Sequence, residues 1–287
     1  MKKSYKIYTT LAFILMYAPL LIMVFFSFNS TESTGVFTGF STKWYQSLFE
    51  DADNSIKSAL SYSLTLAILS SIIATFIGTL AALGISKFKR KPVKSAVMTV
   101  TNIPMVNPEI VTAVSLVLLF SALFTLFGLK INDFVSLLIA HITFNLPYVV
   151  LSVMPKIRQM DKSLTEAAMD LGCTPAKAFF KVELPQLMPG IFSGLIMAFT
   201  MSFDDFVISH FTAGTIETLP LKIYSMTGKG SVTPDMYALS TFMMIAIFAL
   251  LILSNVVQSK DEIKKNREIK ALRRNRLKAQ KKKEAKV

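Results

Sequence analysis

Three carboxylates stand inside long apolar stretches of this sequence: Glu109 within about Ala96–Leu129, and the adjacent pair Asp204 and Asp205 within about Pro189–Phe211. An aspartate in the middle of a membrane-spanning helix costs on the order of 2.5–3.5 kcal/mol on insertion scales, so each such group is by default a candidate for function. Counted from residues 95 and 190 at the cytoplasmic ends, Glu109 and Asp204 each lie 14 residues in. At about 1.5 Å per residue that is roughly 20 Å, in the outer half of the membrane. Carboxylates gathered at one depth on two helices repel each other unless a cation sits between them or water screens them. The pattern suits a cationic pathway and rejects an anionic substrate. Asn107-Pro108 can break the helix just before Glu109 and free carbonyls that also suit a cation.

Other readings of these residues compete. Asp204 and Asp205 could hydrogen-bond partner helices and never meet a substrate, or serve as the acid–base dyad of a membrane enzyme. The dyad fits poorly, because neighbours on one helix diverge by about 100°. Trp44, the only tryptophan, is near Glu50, Asp51 and Asp53. It can offer a ring face to an ammonium group or anchor the chain at the membrane interface. His141 with Asn145 and Pro147 reads as a polar packing or kink site, and the 15 methionines are scattered as packing residues.

The elements that must position these groups are long apolar helices. Of 287 residues, 52% are hydrophobic and 17% charged, against about a quarter charged in soluble domains. A block near 20 residues crosses roughly 30 Å of hydrocarbon. Blocks at about Ile7–Phe28, Ala59–Ile85, Ala96–Leu129, Asp133–Met154, Pro189–Phe211 and Met236–Gln258 predict six spans. The first is longer than a signal-peptide core and has no small-residue cleavage site at Phe28-Asn29-Ser30, so an uncleaved span is expected. Residues 1–6, 86–95, 155–190 and the tail from 259 hold 26 of the 31 Lys and Arg. By the positive-inside rule both termini are cytoplasmic. A single cysteine, Cys173, excludes an intramolecular disulfide. The net charge of +13 resides largely in the tail, which reads as a segment attracted to anionic lipid. Nothing aromatic interleaves its charges to stack bases, so nucleic acid is not expected as a partner.

The loop 155–189 is more than a connector. Ser163-Leu-Thr-Glu166 has the form of a capping box before Ala167, Ala168 and Leu171, which predicts a short amphipathic helix. Gly172 supplies a turn, and Thr174-Pro175 reads as N-cap and N1 of a second short helix ending at Leu184-Pro185. Apolar residues on two short angled helices form either a docking knob for another protein or an interfacial helix lying on lipid. The stretch EAAMDLGCTPAKAFFKVELP resembles the EAA loop of ABC-importer permeases through Glu166-Ala167-Ala168, Gly172 and Leu184-Pro185, with Val182 where that motif usually has isoleucine. The resemblance implies that the knob inserts into a groove of a cytoplasmic ATPase. The chain has no G-x-x-x-x-G-K-[ST] phosphate loop, so ATP and Mg are expected on a partner chain and no cofactor on this one.

A wider resemblance covers nearly the whole chain before the tail. FDDFVISHFTAG at 203–214, ETLPLKIYSM at 217–226 and TGFSTKWYQSLF at 38–49 are similar to the second permease subunit of spermidine/putrescine ABC importers. This family resemblance implies an all-α integral membrane protein with the six-helix type I ABC importer (MetI-like) permease fold, in a bacterial inner membrane. Its implied partners are a homologous permease in a heterodimer, two cytoplasmic ATPase subunits and an extracytoplasmic polyamine-binding protein. It also implies that Trp44, Glu109, Asp204 and Asp205 line the substrate pathway. On this reading residues 1–58 form the first span and outer loop, 59–258 the permease core and 259–287 the basic tail. The chain is then a transport subunit, not an enzyme. A permease for ferric ion or a cationic vitamin is the competing transporter reading, because carboxylates suit those cations too.

Overall fold

A computed structural model describes residues 2–31, 35–50, 55–128, 132–227, 234–252 and 255–256. The regular elements among them are helical, with one isolated antiparallel bridge between Asn29 and Phe40. Helix α1 is Lys2–Phe26, α2 Lys43–Phe49, α3 Ser55–Ser86, α4 Lys91–Val106, α5 Glu109–Phe127 and α6 Asp133–Gln159. The short α7 (Lys162–Asp170) and α8 (Pro175–Ala178) precede α9 (Leu184–Phe203), α10 (Val207–Thr212) and α11 (Leu219–Thr227). Helix α12 is Pro234–Ile252. Six stretches are long and apolar enough to cross a membrane: Ile7–Phe26, Ser55–Ser86, Glu109–Phe127, Asp133–Gln159, Pro175–Phe203 and Pro234–Ile252. The all-α, six-span architecture expected from the sequence is therefore present.

Two of the spans are broken within the blocks read from the sequence, the third at the Asn107-Pro108 breaker that was read there and the fifth at a point that was not. The third is interrupted at Asn107-Pro108, so its spanning helix is α5 rather than a continuous Ala96–Leu129. Pro108 has extended backbone (φ −55°, ψ 131°) and no N–H to continue the α4 ladder. The fifth ends at Phe203, eight residues short of the expected Phe211, and the chain restarts as α10. The basic tail from 259 lies outside the described residues.

The described chain forms two compact units, one from residues up to 70, 107–144 and 201–248, the other from 71–106, 145–200 and from 249. In the first, Leu66, Leu137 and Ala213 form a buried cluster joined by Leu138, Ile216 and Leu221. The Asp133 carboxylate accepts from Thr215 N at 2.9 Å and Thr215 Oγ1 at 2.7 Å. This fixes a turn in which Gly214 has φ +58° and a Cβ would collide with that carboxylate. Leu219 N donates to Ser63 Oγ at 2.7 Å and seats the start of α11.

The second unit is held by close helix approach at small residues, as membrane helices favour when no solvent drives them together. A Cβ on Gly78 of α3 would lie 2.7 Å from Val149 Cγ1 of α6. On α9, a Cβ at Gly190 would lie 3.1 Å from the Ser152 carbonyl oxygen. Val149, Val153 and Leu187 are completely buried there.

Candidate functional site

The gap between α9 and α10 is made by the aspartate pair itself. Asp205 is buried and its carboxylate accepts from Ser209 N at 2.7 Å and Ile208 N at 3.3 Å. Those N–H groups open α10 and have no helical acceptor, so the side chain takes over a backbone role and α9 does not continue. Asp204 is exposed. The two neighbours therefore do different work, one tied down and one presented.

Asp205 also meets a buried polar chain centred on His141, whose partners the sequence reading did not name. His141 is completely buried, with Nδ1 2.7 Å from Ser202 Oγ, Nε2 3.1 Å from Ser209 Oγ, and Nε2 3.6 Å from Asp205 Oδ2. Ser70 Oγ donates to Ser202 Oγ at 2.9 Å. The tautomer protonated at Nε2 fits, since Nδ1 then accepts from Ser202 while Nε2–H faces Ser209 and Asp205. Of the two readings of His141, polar packing or kink, it is polar packing that the structure shows, bridging α6 to residues at both sides of the α9–α10 break. The D-x-x-I-S spacing from Asp205 to Ser209 is a legible N-cap-like signal. Contacts from His141 to residues more than 60 positions away leave no local signal.

Glu109 is the first residue of α5, directly after the Asn107-Pro108 break, and is exposed. Helix α10 packs on α5. That contact brings Glu109 toward the α9–α10 break, within electrostatic range of Asp204 and Asp205. An open cleft of about 450 Å³ takes in Glu109 but neither aspartate, and is lined by Pro108, Glu109, Phe206, His210, Phe211 and Tyr224 among others. An exposed carboxylate in a cleft with aromatic walls attracts a cation and repels an anion.

Trp44 does not line this cleft. It is buried, its Nε1–H donates to the Asn29 carbonyl at 2.6 Å, and Lys43 Nζ sits 4.3 Å over its ring. Asn29 in turn accepts from Thr38 N and donates to Val36 O, both at 2.9 Å. In this structure Trp44 pins the loop after α1, and its ring face carries the chain's own ammonium. Asp51 and Asp53 lie outside the described residues.

The 155–189 loop has two short helices joined by the expected turn. Gly172 has φ +89°, and Cys173 N and Gly172 N donate to Ala168 O and Met169 O. Thr174 Oγ1 accepts from Lys177 N and Pro175 is the first residue of α8, as read. Two details are corrected. The N-cap of α7 is Asp161, whose carboxylate accepts from Ser163 N at 3.0 Å, rather than Ser163 of a Ser163/Glu166 capping box. The charged Asp161 carboxylate satisfies that N–H directly and lets the helix start earlier. The Ser163 hydrogen bonds hold its carboxyl below the ordinary 3.8.

The second correction concerns Leu184-Pro185, which does not end the helix. Phe179–Glu183 is a π-helical segment that carries α8 into α9. Pro185 has no N–H and its ring would strike the carbonyl four residues back, and the wider π turn makes room. Gln186 Nε2 donates to Val182 O at 2.9 Å at this segment. Leu164, Leu171 and Phe180 are exposed, at 50%, 87% and 64%. Glu166 and Ala167 are exposed and Ala168 half-buried.

A six-span α-helical protein with broken helices, a cleft that holds the Glu109 carboxylate and an exposed apolar two-helix loop is a transport component of the membrane. The fold agrees with solved importers. A bacterial ABC transporter involved in import of the acidic polysaccharide alginate matches at TM-score 0.68 and 16% identity, over 90% of this chain and 96% of that one. The MetNI methionine ABC transporter matches at 0.57 and 15%, over 77% and 99%. Among sequence relatives, the putrescine transport system permease protein PotI of Escherichia coli is 37% identical over 266 residues, covering 92% of this chain and 94% of that protein. The spermidine/putrescine transport system permease protein PotC of Escherichia coli is 38% identical over 262 residues, covering 90% and 95%. Residues 74–259 match the family described as binding-protein-dependent transport system inner membrane component. The chain belongs to that family. It is a multi-pass membrane transport component of an ABC importer with the type I permease fold, and not an enzyme.

Proposed function

We propose that this chain is one permease half of an importer for polyamines of the putrescine and spermidine class. The observation that carries this is the grouping of exposed Glu109 and Asp204 with Asp205 at two helix breaks, with Glu109 in an aromatic-walled cleft. An alkylamine has discrete positive ends that carboxylates can hold and methylenes that rings can cover. The names of the relatives PotI and PotC support the substrate class. Glu109 and Asp204 meet the substrate, Asp205 with His141 holds the α9–α10 break that presents Asp204, and Trp44 fixes the outer loop at the pathway's entrance.

In the same reading both termini are cytoplasmic, and the loop carrying Glu166, Ala167, Ala168, Gly172, Leu184 and Pro185 is the docking knob for an ATPase. Exposed Leu164, Leu171 and Phe180 support this, because such apolar side chains gain by being covered. ATP and Mg act on two ATPase subunits, a homologous permease completes the pathway, and an extracytoplasmic binding protein delivers substrate. The division into a first span with outer loop (1–58), a core (59–258) and a tail (259–287) belongs to the same proposal.

The test is uptake by vesicles carrying this chain with its partner permease, ATPase and binding protein. Labelled putrescine or spermidine is expected to accumulate with ATP, and unlabelled polyamine is expected to compete. Accumulation of ferric ion or a cationic vitamin with no polyamine uptake contradicts the proposal.

A further inference from the structure

The cleft beside Glu109 has a wall whose chemistry the carboxylates do not explain. Phe206 lies 4.7 Å from Tyr224 and 5.4 Å from His210, ring centroid to centroid, and His210 lies 6.0 Å from Tyr224. These rings are not core. His210 is exposed, Tyr224 is 57% exposed, and all three face the cleft that Glu109 lines. The nearby ammonium of Lys222 does not occupy them, because Glu217 holds it at 3.1 Å.

We propose that Phe206, His210 and Tyr224 form an amine-recognition wall that makes the Glu109 cleft prefer a protonated alkylamine over an inorganic cation. The inference rests on the reading of this chain as a cation permease and adds the residues that set its substrate class. With the three centroids so close, an ammonium seated on the cluster falls within about 6 Å of more than one ring, the range in which a ring quadrupole attracts a cation. The same faces cover the methylenes next to the charge, and Glu109 takes the N–H donors. A strongly hydrated metal ion gains nothing from the methylene surface and would have to shed water to reach the rings. The wall is assembled by the features that make the site. The break at Asp204-Asp205 releases α10, which carries Phe206 at its N-cap and His210, onto α5, and the Ser63 bond seats α11 with Tyr224.

A packing or interfacial role for the rings predicts sensitivity to size alone. Recognition predicts sensitivity to ring electrons at constant shape. The experiment is putrescine uptake by the complete reconstituted transporter with Phe206 replaced by phenylalanines bearing one, two and three fluorines, alongside Phe206→Leu, Tyr224→Phe and Tyr224→Leu. Apparent affinity is expected to fall stepwise with fluorine number, by about tenfold across the series. Tyr224→Phe should stay within about twofold of wild type, and Tyr224→Leu should lose about tenfold. Wild-type uptake with a flat fluorine series overturns this inference and leaves the polyamine proposal standing. A wild-type complex that takes up no alkylamine overturns both.

Discussion

At the scale of single residues, an adjacent acid pair is divided into a structural and a presented member. Asp205→Ala removes the acceptor for two buried N–H groups and a neighbour of His141. It should destabilise the protein by about 1–3 kcal/mol, read as a lowered melting temperature of the detergent-purified complex. Asp205→Asn keeps one oxygen and should lose less. Asp204→Asn should leave melting unchanged, since that side chain is exposed. Equal melting losses in the two asparagine variants would contradict the division. The residue types at this site were legible because charge in an apolar stretch is conspicuous. Which aspartate was tied down was not, since it depends on where a helix stops and on a histidine 64 positions away.

At the scale of elements, apolar length made the six spans readable, while proline and side-chain competition decided where they break. Pro108 was visible as a breaker. The break at Asp204-Asp205 was overlooked, because FDDFVISHF continues the apolar pattern and masks the N-cap-like spacing by which a carboxylate takes the α10 amides. Leu184-Pro185 misled in the other direction, since a π segment absorbs a proline that otherwise stops a helix. The Gly172 turn can be tested cleanly, because nothing lies within 4 Å of a Cβ there and only φ +89° resists substitution. Gly172→Val should strain the loop by about 1–2 kcal/mol and weaken co-purification with the ATPase, with Gly172→Asn milder. Stoichiometric co-purification and wild-type transport by the valine variant would remove the docking assignment. The Asp161 cap carries a pH signature. Because the folded carboxyl titrates below its ordinary 3.8, the cap's contribution is present above that value and fades only as pH falls further. Protection of the Ser163 amide, corrected for intrinsic exchange, should hold from pH 7 down to that range, and loss near pH 5 would contradict the cap.

At the scale of the whole molecule, the fold is shared with importers whose substrates are as different as alginate and methionine, so it sets the machine and not the cargo. On the proposals above, the cargo is set by the small group of acids and rings at the α5–α10 contact. The basic tail has no part in that account, and truncation after about residue 262 should leave uptake nearly intact. The central claim is that Glu109 and Asp204 carry a polycation through the pathway, and the direct measurement is uptake of labelled spermidine by the reconstituted importer carrying Glu109→Gln and Asp204→Asn. Each amide keeps the shape and removes the charge. The loss of a charge-assisted contact is about 1.5–3 kcal/mol, so each single variant should slow uptake roughly 10–100-fold. The double variant should lose more, with assembly and basal ATP hydrolysis unchanged. Wild-type spermidine uptake by a normally assembled double variant would show that these acids are structural and that the pathway lies elsewhere.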